Sequence, residues 1–383
     1  MKKTAHDPGH KIAVLGTGLV GGPMAMDLAS DHEVIAVDIH PANLKRLKGI
    51  TTIQADLSDP SMIAKVVQDA DLVINAVPGS MGFKTLKHII RQRKDVVDIA
   101  FYPEDMFLLD ELAREKGVIA ICDMGVAPGM SHMLVGYANE QMDKVNKVKI
   151  YVGGLPKERI LPYEYKAVFS PSDIIEEYVR PARLVREGKE IELEALSEQE
   201  TLDFDQAGTL EAFNSDGLRS LVKTLDAPDM VEKTLRYPGH MEKVKLLRET
   251  GFFSKESIKV GNMEVVPLEL TQQLLFPLWK LKEGEVDLTV MRVIVEGLKD
   301  NIKTTYTWDL YDEYDPATGV HSMARTTGYA ATMAARMLLA GMYNRKGISP
   351  PEYVGKDSSC VDFILNGLKD RNVVYEMQVK SDQ

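Results

Sequence analysis

The stretch KIAVLGTGLVGGPMAMDL, residues 11–28, is an apolar run broken by Gly16, Gly18 and Gly21 and followed by an amphipathic segment. A G-x-G-x-x-G spacing says little alone. It gains meaning when it follows a strand, opens a helix and precedes a second strand that ends on an acid. Here KIAVLG (11–16) reads as a buried strand, GPMAMDLAS (22–30) as a helix and EVIAVD (33–38) as a strand ending in Asp38. In that setting Gly16 allows the tight turn, Gly18 lets the main chain approach a pyrophosphate, and Gly21 lets helix and strand pack closely. With Leu19 and Val20 between them, the helix start offers free amides and a positive dipole end to the phosphates. The bland alternative is a glycine turn that holds no ligand.

The alternation continues. PANLKRLKG, ITTIQADLSD, PSMIAKVVQDA, DLVINAVP, FKTLKHIIRQRK, DVVDIAF, PEDMFLLDELAREKG and VIAICDMG read as helices and strands in turn to about residue 125. Strands joined by helical crossovers lie parallel with helices on both faces, which predicts an α/β, doubly wound sheet of the Rossmann type. Ligands in such folds sit at the carboxyl ends of the strands. Asn75, Ala76 and Pro78, then Asp98 and Ala100, occupy those ends and join the glycines as cofactor candidates. Asp38 stands where an acid takes the ribose hydroxyls. A ribose phosphate would meet its carboxylate, so NAD is expected over NADP, although Lys45 and Arg46 could reach back. The turn in CDMGVAPGMSHML is a second candidate cradle, and Met130, Met133, Leu134 and Tyr137 after it read as a core stripe.

The formal net charge of −11 disfavours a nucleic-acid partner, because such affinity comes from Lys and Arg neutralising phosphates. A small-molecule substrate is expected. Cys122 and Cys360 are too few for a disulfide framework and read as inert thiols of a reducing, cytoplasmic setting. No apolar run reaches the roughly 20 residues that a membrane span needs, so no membrane partner is expected. No metal site is expected either. MKKTAHDPGH (1–10) reads as a disordered leader.

Beyond about residue 145 the texture changes. KVKIYVGG and the long DLTVMRVIVEGLKDNIKTTYTWDLYDEY read as strands, the latter a hairpin around LKDNIK, with helical pieces between. A second, largely antiparallel α+β unit is expected. MARTTGYAATMAARMLLAGMYNRKG reads as a long apolar helix that ends near Gly347 and returns to the first unit. The boundaries drawn are 11–128 plus 321–383 for the dinucleotide-binding domain and 129–320 for the inserted catalytic domain. Reaction chemistry is expected in a cleft between them. LRYPGHMEK gathers Arg236, His240 and Lys243 on a Pro-Gly turn: His240 exchanges protons near neutral pH, and Lys243 or Arg236 could hold a carboxylate. As a lone turn histidine, His240 is equally a structural imidazole. Asn214 and Ser215 in FNSDG, Tyr163 in LPYEYKAVFSP, and Arg325 with Thr326 in HSMARTTGYAA are substrate-binding candidates. Capping explains FNSDG as readily, and a strand with one wet face explains LPYEYKAVFSP.

These segments in order resemble the saccharopine dehydrogenase-like superfamily, and within it the NAD-dependent L-lysine 6-dehydrogenase branch. The landmarks are GTGLVGGPMAMDL, DMGVAPGM, IYVGGLP, YEYKAVFS, LEAFNSDG, LRYPGHMEKVKLL, MRVIVEG and MARTTGYAA. The resemblance implies a Rossmann domain completed by C-terminal elements, an inserted α+β catalytic domain and a homodimer built through it. It implies oxidative deamination of L-lysine at its 6-amino group, giving 2-aminoadipate 6-semialdehyde, ammonia and NADH. It maps RYPGH onto Arg236 to His240 and a strand-end turn onto Asp123 to Gly129, and so adds Asp123 to His240 and Lys243 as catalytic candidates. A saccharopine dehydrogenase, a polyamine-pathway reductase and a catalytically silent NAD-binding regulator are the competing readings.

Overall fold

The computed structural model describes residues 9–167, 171–282 and 284–382, so most of the expected leader lies outside the described residues. The chain divides into two compact units, Met1–Tyr137 with Ala324–Val373 and Ala138–Met323 with Val374–Gln383.

The first unit opens with β1 (Lys11–Leu15), α1 (Gly21–Leu28), β2 (Glu33–Asp38), α2 (Pro41–Leu44), β3 (Thr51–Gln54) and α3 (Pro60–Val67). It continues with β4 (Leu72–Asn75), α4 (Gly79–Arg91), β5 (Asp95–Asp98), α5 (Asp110–Lys116), β6 (Ile119–Ile121) and the start of α6 (Met130–Gln141). Apart from the exposed edge strand β3, these strands are short apolar runs between turn signals and are largely buried, as parallel strands under helices must be. α3 starts where Pro60 presets the helical φ and the Asp59 carboxylate accepts from the Ser61 amide.

The second unit contains β7 (Lys144–Pro156), α7 (Pro171–Val179), β8 (Ala182–Arg186), β9 (Lys189–Leu193), β10 (Glu200–Phe204), β11 (Gly208–Asn214), α8 (Leu221–Thr224) and β12 (Asp229–Arg236). Then come α9 (His240–Thr250), β13 (Ile258–Val260), β14 (Met263–Val265), α10 (Pro267–Trp279), β15 (Asp287–Lys299) and β16 (Ile302–Glu313). The chain ends with α11 (Ser322–Leu339), β17 (Gly347–Ser349), α12 (Pro351–Gly355), α13 (Ser358–Lys369) and β18 (Tyr375–Ser381).

All seven strands of the first sheet run parallel in the order β17-β6-β5-β4-β1-β2-β3. The order reverses between β1 and β4, which leaves a crevice at their carboxyl ends. The second sheet runs β10-β11-β12-β7-β15-β16-β18, with β8 and β9 attached to β12. It is antiparallel except where β12 lies alongside β7. The LKDNIK hairpin is present: Lys299 pairs with Ile302, and Asp300 and Asn301 take the positive φ that a two-residue turn demands.

Four expectations are corrected. Residues 321–383 do not all join the first unit, because β18 hydrogen-bonds to β16 in the second sheet. The long helix stops at Leu339 rather than near Gly347, where Gly341 turns left-handed with φ +68°. The second helix covers only Pro41–Leu44. The YEYKA stretch leaves a turn at Tyr163, runs irregularly and makes one isolated bridge, Ala167 to Lys280, rather than forming an alternating strand; Val168 to Ser170 lie outside the described residues.

α11 is tied to α1 by charge. Arg336 reaches Asp27 at 2.7 Å and Asp31 at 2.6 Å, the Thr332 hydroxyl donates to Asp27 at 2.6 Å, and Arg371 reaches Asp27 at 2.7 Å. Arg336 and Asp27 are almost buried, so removing one partner strands the other in a poorly solvated place. Arg336→Met is therefore expected to cost about 2 kcal/mol. Thermal melts of variant and parent should show a lower Tm; an unchanged Tm would refute the tie.

Candidate active site

In the first unit the glycine loop leaves β1 as a tight turn. Gly16 has φ +87°, and a Cβ there would lie 2.5 Å from the Ala76 carbonyl oxygen at the end of β4. A Cβ on Gly21 would lie 2.0 Å from the Gly16 carbonyl oxygen, so strand and helix close only over glycine. Gly18 is different: a Cβ there would meet nothing within 4 Å, so its main chain faces open space. α1 begins after Val20 with no side-chain cap and no acid in its first turn. Its leading amides and positive dipole end suit an anion.

Asp38 anchors this loop. Its Oδ2 accepts from the Thr17 amide at 2.8 Å, the Thr17 hydroxyl at 3.2 Å and Asn43 Nδ2 at 3.1 Å, while Oδ1 accepts from the His40 amide at 2.8 Å. Burial opposes ionisation, yet the His40 and Thr17 amides hold the carboxyl below the usual carboxylate range. Oδ1 carries one donor and keeps acceptor capacity for a hydroxyl.

At the ends of β4 and β5, Asn75 Nδ2 donates to Asp98 Oδ2 at 2.9 Å, and Asp98 Oδ1 accepts from the Ala100 amide at 2.7 Å. Asn75 Oδ1 is buried without a hydrogen-bond partner, an acceptor left over at the mouth of the crevice. Pro78 precedes α4, and its carbonyl accepts from the Gly82 amide at 3.1 Å. Leu19 is exposed on the loop. An orphaned acceptor, an uncapped helix start and a glycine facing open space fit a dinucleotide phosphate and its flanking sugar.

The turn after β6 bends through Asp123, buried with φ +58°, and Gly129. The Gly125 amide donates to the Pro128 carbonyl at 3.1 Å and the Met130 amide to the Gly125 carbonyl at 2.8 Å. Arg325 and Thr326 are buried on α11, next to Thr327, which lies against Gly125, and Gly328, which lies against Met24 and Val20. Arg325 Nη2 donates to the Arg371 carbonyl at 2.9 Å.

The second unit assembles the other candidates on the inward face of β12, whose alternate positions Glu232, Thr234 and Arg236 are buried. Arg236 Nη2 reaches Glu177 at 2.8 Å, its Nε donates to the Tyr178 hydroxyl at 3.3 Å, and its guanidinium stacks 4.7 Å over the Tyr165 ring. The Tyr178 hydroxyl lies 3.0 Å from His240 Nε2, and His240 Nδ1 lies 2.9 Å from the Tyr163 carbonyl. A carbonyl only accepts, so Nδ1 carries the proton and Nε2 accepts from Tyr178. The donors thus run one way, from Arg236 through Tyr178 and His240 to the Tyr163 carbonyl. Burial, with Arg236 nearby, pushes the His240 pKa down to about 3, and burial pushes the Tyr178 hydroxyl up to about 12. His240 is therefore neutral at pH 7 with both nitrogens occupied, which favours the structural over the proton-exchanging one of its two sequence readings. Lys243 sits on the solvent side of α9, 3.7 Å from Glu164.

Asn214 Nδ2 donates to Ser197 Oγ and Glu198 Oε2, both at 3.1 Å, and its Oδ1 is buried without a partner. Ser215 Oγ donates to Glu232 at 3.2 Å and accepts from Thr234 Oγ1 at 2.8 Å. Glu232 is the least expected member of the cluster. Burial, then the nearby Glu177 carboxylate, pushes its carboxyl up to about 8. Sequence reasoning missed Glu177, Tyr178 and Glu232. The signal for the last was its place in MVEKTLR, where strand alternation puts Met, Glu, Thr and Arg on one side.

Two family models match the chain in succession. Residues 12–121 match the family model described as the saccharopine dehydrogenase NADP binding domain, and residues 125–374 match the saccharopine dehydrogenase C-terminal domain. The mouse mitochondrial alpha-aminoadipic semialdehyde synthase is 23% identical, with 96% of this chain and 48% of that protein covered. Saccharopine dehydrogenase [NADP(+), L-glutamate-forming] of Saccharomyces cerevisiae is 26% identical over 70% of this chain and 64% of its own length. The chain thus spans less than two thirds of these curated relatives. The solved apo saccharopine dehydrogenase (L-Glu forming) from Saccharomyces cerevisiae has the same fold, at a TM-score of 0.80 and 20% identity over 97% of this chain and 100% of that one. Because the two family models follow one another from residue 12 to 374, the chain belongs to the saccharopine dehydrogenase family.

Proposed function

We propose that the protein is an NAD-dependent amine oxidoreductase that oxidises L-lysine at carbon 6, releasing ammonia and 2-aminoadipate 6-semialdehyde. The bound nicotinamide would supply the hydride acceptor. The chain's residues hold, orient and neutralise: the Gly16–Gly21 loop takes the diphosphate, Asp38 the ribose hydroxyls, and Asn75 and Asp98 line the strand ends. Water then hydrolyses the imine formed when carbon 6 loses hydride, with the nitrogen leaving as ammonia.

Asp38 is the observation that carries the cofactor assignment, since an ionised carboxylate there repels a 2′-phosphate. The substrate assignment draws support from charge. In the second unit Arg236 is matched by Glu177 at 2.8 Å, Arg183 by Asp216 at 2.8 Å, Lys166 by Glu285 at 3.0 Å and Lys243 by Glu164 at 3.7 Å. Cations already spent on carboxylates favour a substrate with one carboxylate and an amine over one with several carboxylates. Saccharopine is the second reading, favoured by the names of the relatives. In either case His240 is a positioning residue: it fixes Tyr178, which fixes Arg236.

The deciding experiment follows NADH absorbance with lysine, saccharopine and polyamines supplied separately, in NAD and then NADP. Turnover with lysine and NAD is expected, and turnover with saccharopine alone would overturn the proposal. In kcat/KM the parent is expected to favour NAD by about tenfold or more, with Asp38→Asn narrowing that ratio. His240→Asn is expected to lower kcat/KM about tenfold, the cost of leaving the Tyr178 hydroxyl unsatisfied. Because the ring is neutral well above its pKa of about 3, the pH profile between about 5 and 8 should keep its shape in that variant. Loss of a limb near 6.5 would restore His240 as the acid/base.

A further inference from the structure

On the side of the second sheet that carries Lys147 and Lys149, β7, β8, β10 and β12 border a half-open hollow of about 190 Å³. Its walls include Val148, Leu184, Val185 and Met230, and its charged groups carry both signs. Part of that charge is internally matched. Arg186 pairs with Glu198, and Lys233 lies 2.7 Å from Glu200 and also donates to the Glu198 carbonyl.

Three charged groups lack a close ion pair, although Lys149 acts through space on Glu200 and Asp229 on Arg186. Lys147 is aligned with Asp229, and Lys149 with Val231, across the parallel β7·β12 pair. Yet among the described residues neither lysine, nor Asp229, forms an ion pair within 4.0 Å. The only hydrogen bond that Asp229 accepts among the described residues is a long one from the Glu187 amide, 3.5 Å. Lys147 and Lys149 are two positions apart on one strand, so both point to the same face about 7 Å apart and can straddle one carboxylate. The hollow thus has two ammonium groups and one carboxylate outside any close ion pair, a local excess of positive charge on a chain of net charge −11. A plain anion would use only the lysines, and a plain amine only the acid.

We propose that this hollow binds a free α-amino acid, its carboxylate between Lys147 and Lys149 and its ammonium on Asp229. The volume is below the roughly 300 Å³ at which drug-sized pockets begin, which suits a ligand of that size. The groups are half-exposed, so affinity is expected in the millimolar range. The reading does not depend on which substrate the enzyme turns over.

The test is calorimetric titration of the full chain with L-alanine, propionate and ethylamine, three probes that share a short alkyl body and differ in their charged groups. L-alanine is expected to bind while propionate and ethylamine stay silent. Lys147→Met with Lys149→Met, and separately Asp229→Asn, should each weaken alanine binding about fivefold or more. A thermal melt and NAD binding serve as controls for folding. Equal binding of propionate, alanine binding that survives both sets of substitutions, or no alanine binding at tens of millimolar would each overturn the proposal.

Discussion

The carboxylate of Asp38 holds together the part of the first unit on which everything else depends. It stands at the end of β2, gathers the Thr17 amide and hydroxyl from the glycine loop, and caps the start of the next segment through the His40 amide and Asn43. A glycine loop is soft because glycine resists few backbone conformations. Here one buried anion with four donors sets its shape before any ligand arrives. The loop's geometry and the negative charge at its mouth are therefore one feature. A chain that kept the shape but changed the charge would need another anchor for Thr17.

The second unit solves a different problem, that of keeping polar side chains inside an aromatic core. Tyr163, Tyr165, Tyr178 and Trp279 pack edge to face, and Arg236 and His240 lie among them. Arg236, Tyr178 and His240 find acceptors in sequence, ending on a main-chain carbonyl that cannot rotate away, while the Tyr165 hydroxyl and Trp279 Nε1 are buried without a hydrogen bond. Such a chain has one proton arrangement, which suits orientation better than proton transfer.

The first unit was legible because its strands, the exposed β3 apart, are largely buried and bounded by glycine, proline and Asp signals, so period and punctuation agree. β2 matched residue for residue, and the 299–302 turn was visible in Asp-Asn. The strand β18 escaped notice because YEMQVKS is an edge strand with mostly exposed side chains, and its partner is over 60 residues earlier in sequence. The Arg236 to His240 region was found as a polar turn. Its two readings, proton-exchanging and structural, stayed open in the sequence because solvent exposure, which decides whether an imidazole is charged, is a property of packing and not of spacing. Glu177 and Tyr178 lie on α7, one of the helical pieces between the strands, where no motif singled them out.

Glu232 has a consequence for how the fold responds to alkali. Its carboxyl lies against Gly217, where a Cβ would come within 1.7 Å of Oε2, and it holds its proton up to about pH 8. The same side chain in the unfolded chain gives up its proton near the ordinary 4.5. Across that interval the native state binds a proton that the unfolded state lacks, so unfolding releases it and stability declines as pH rises. Below the interval this term vanishes, and above it the carboxylate must be buried charged. Mildly basic solution thus loosens the inward face of β12 from within, at a side chain that solvent does not reach.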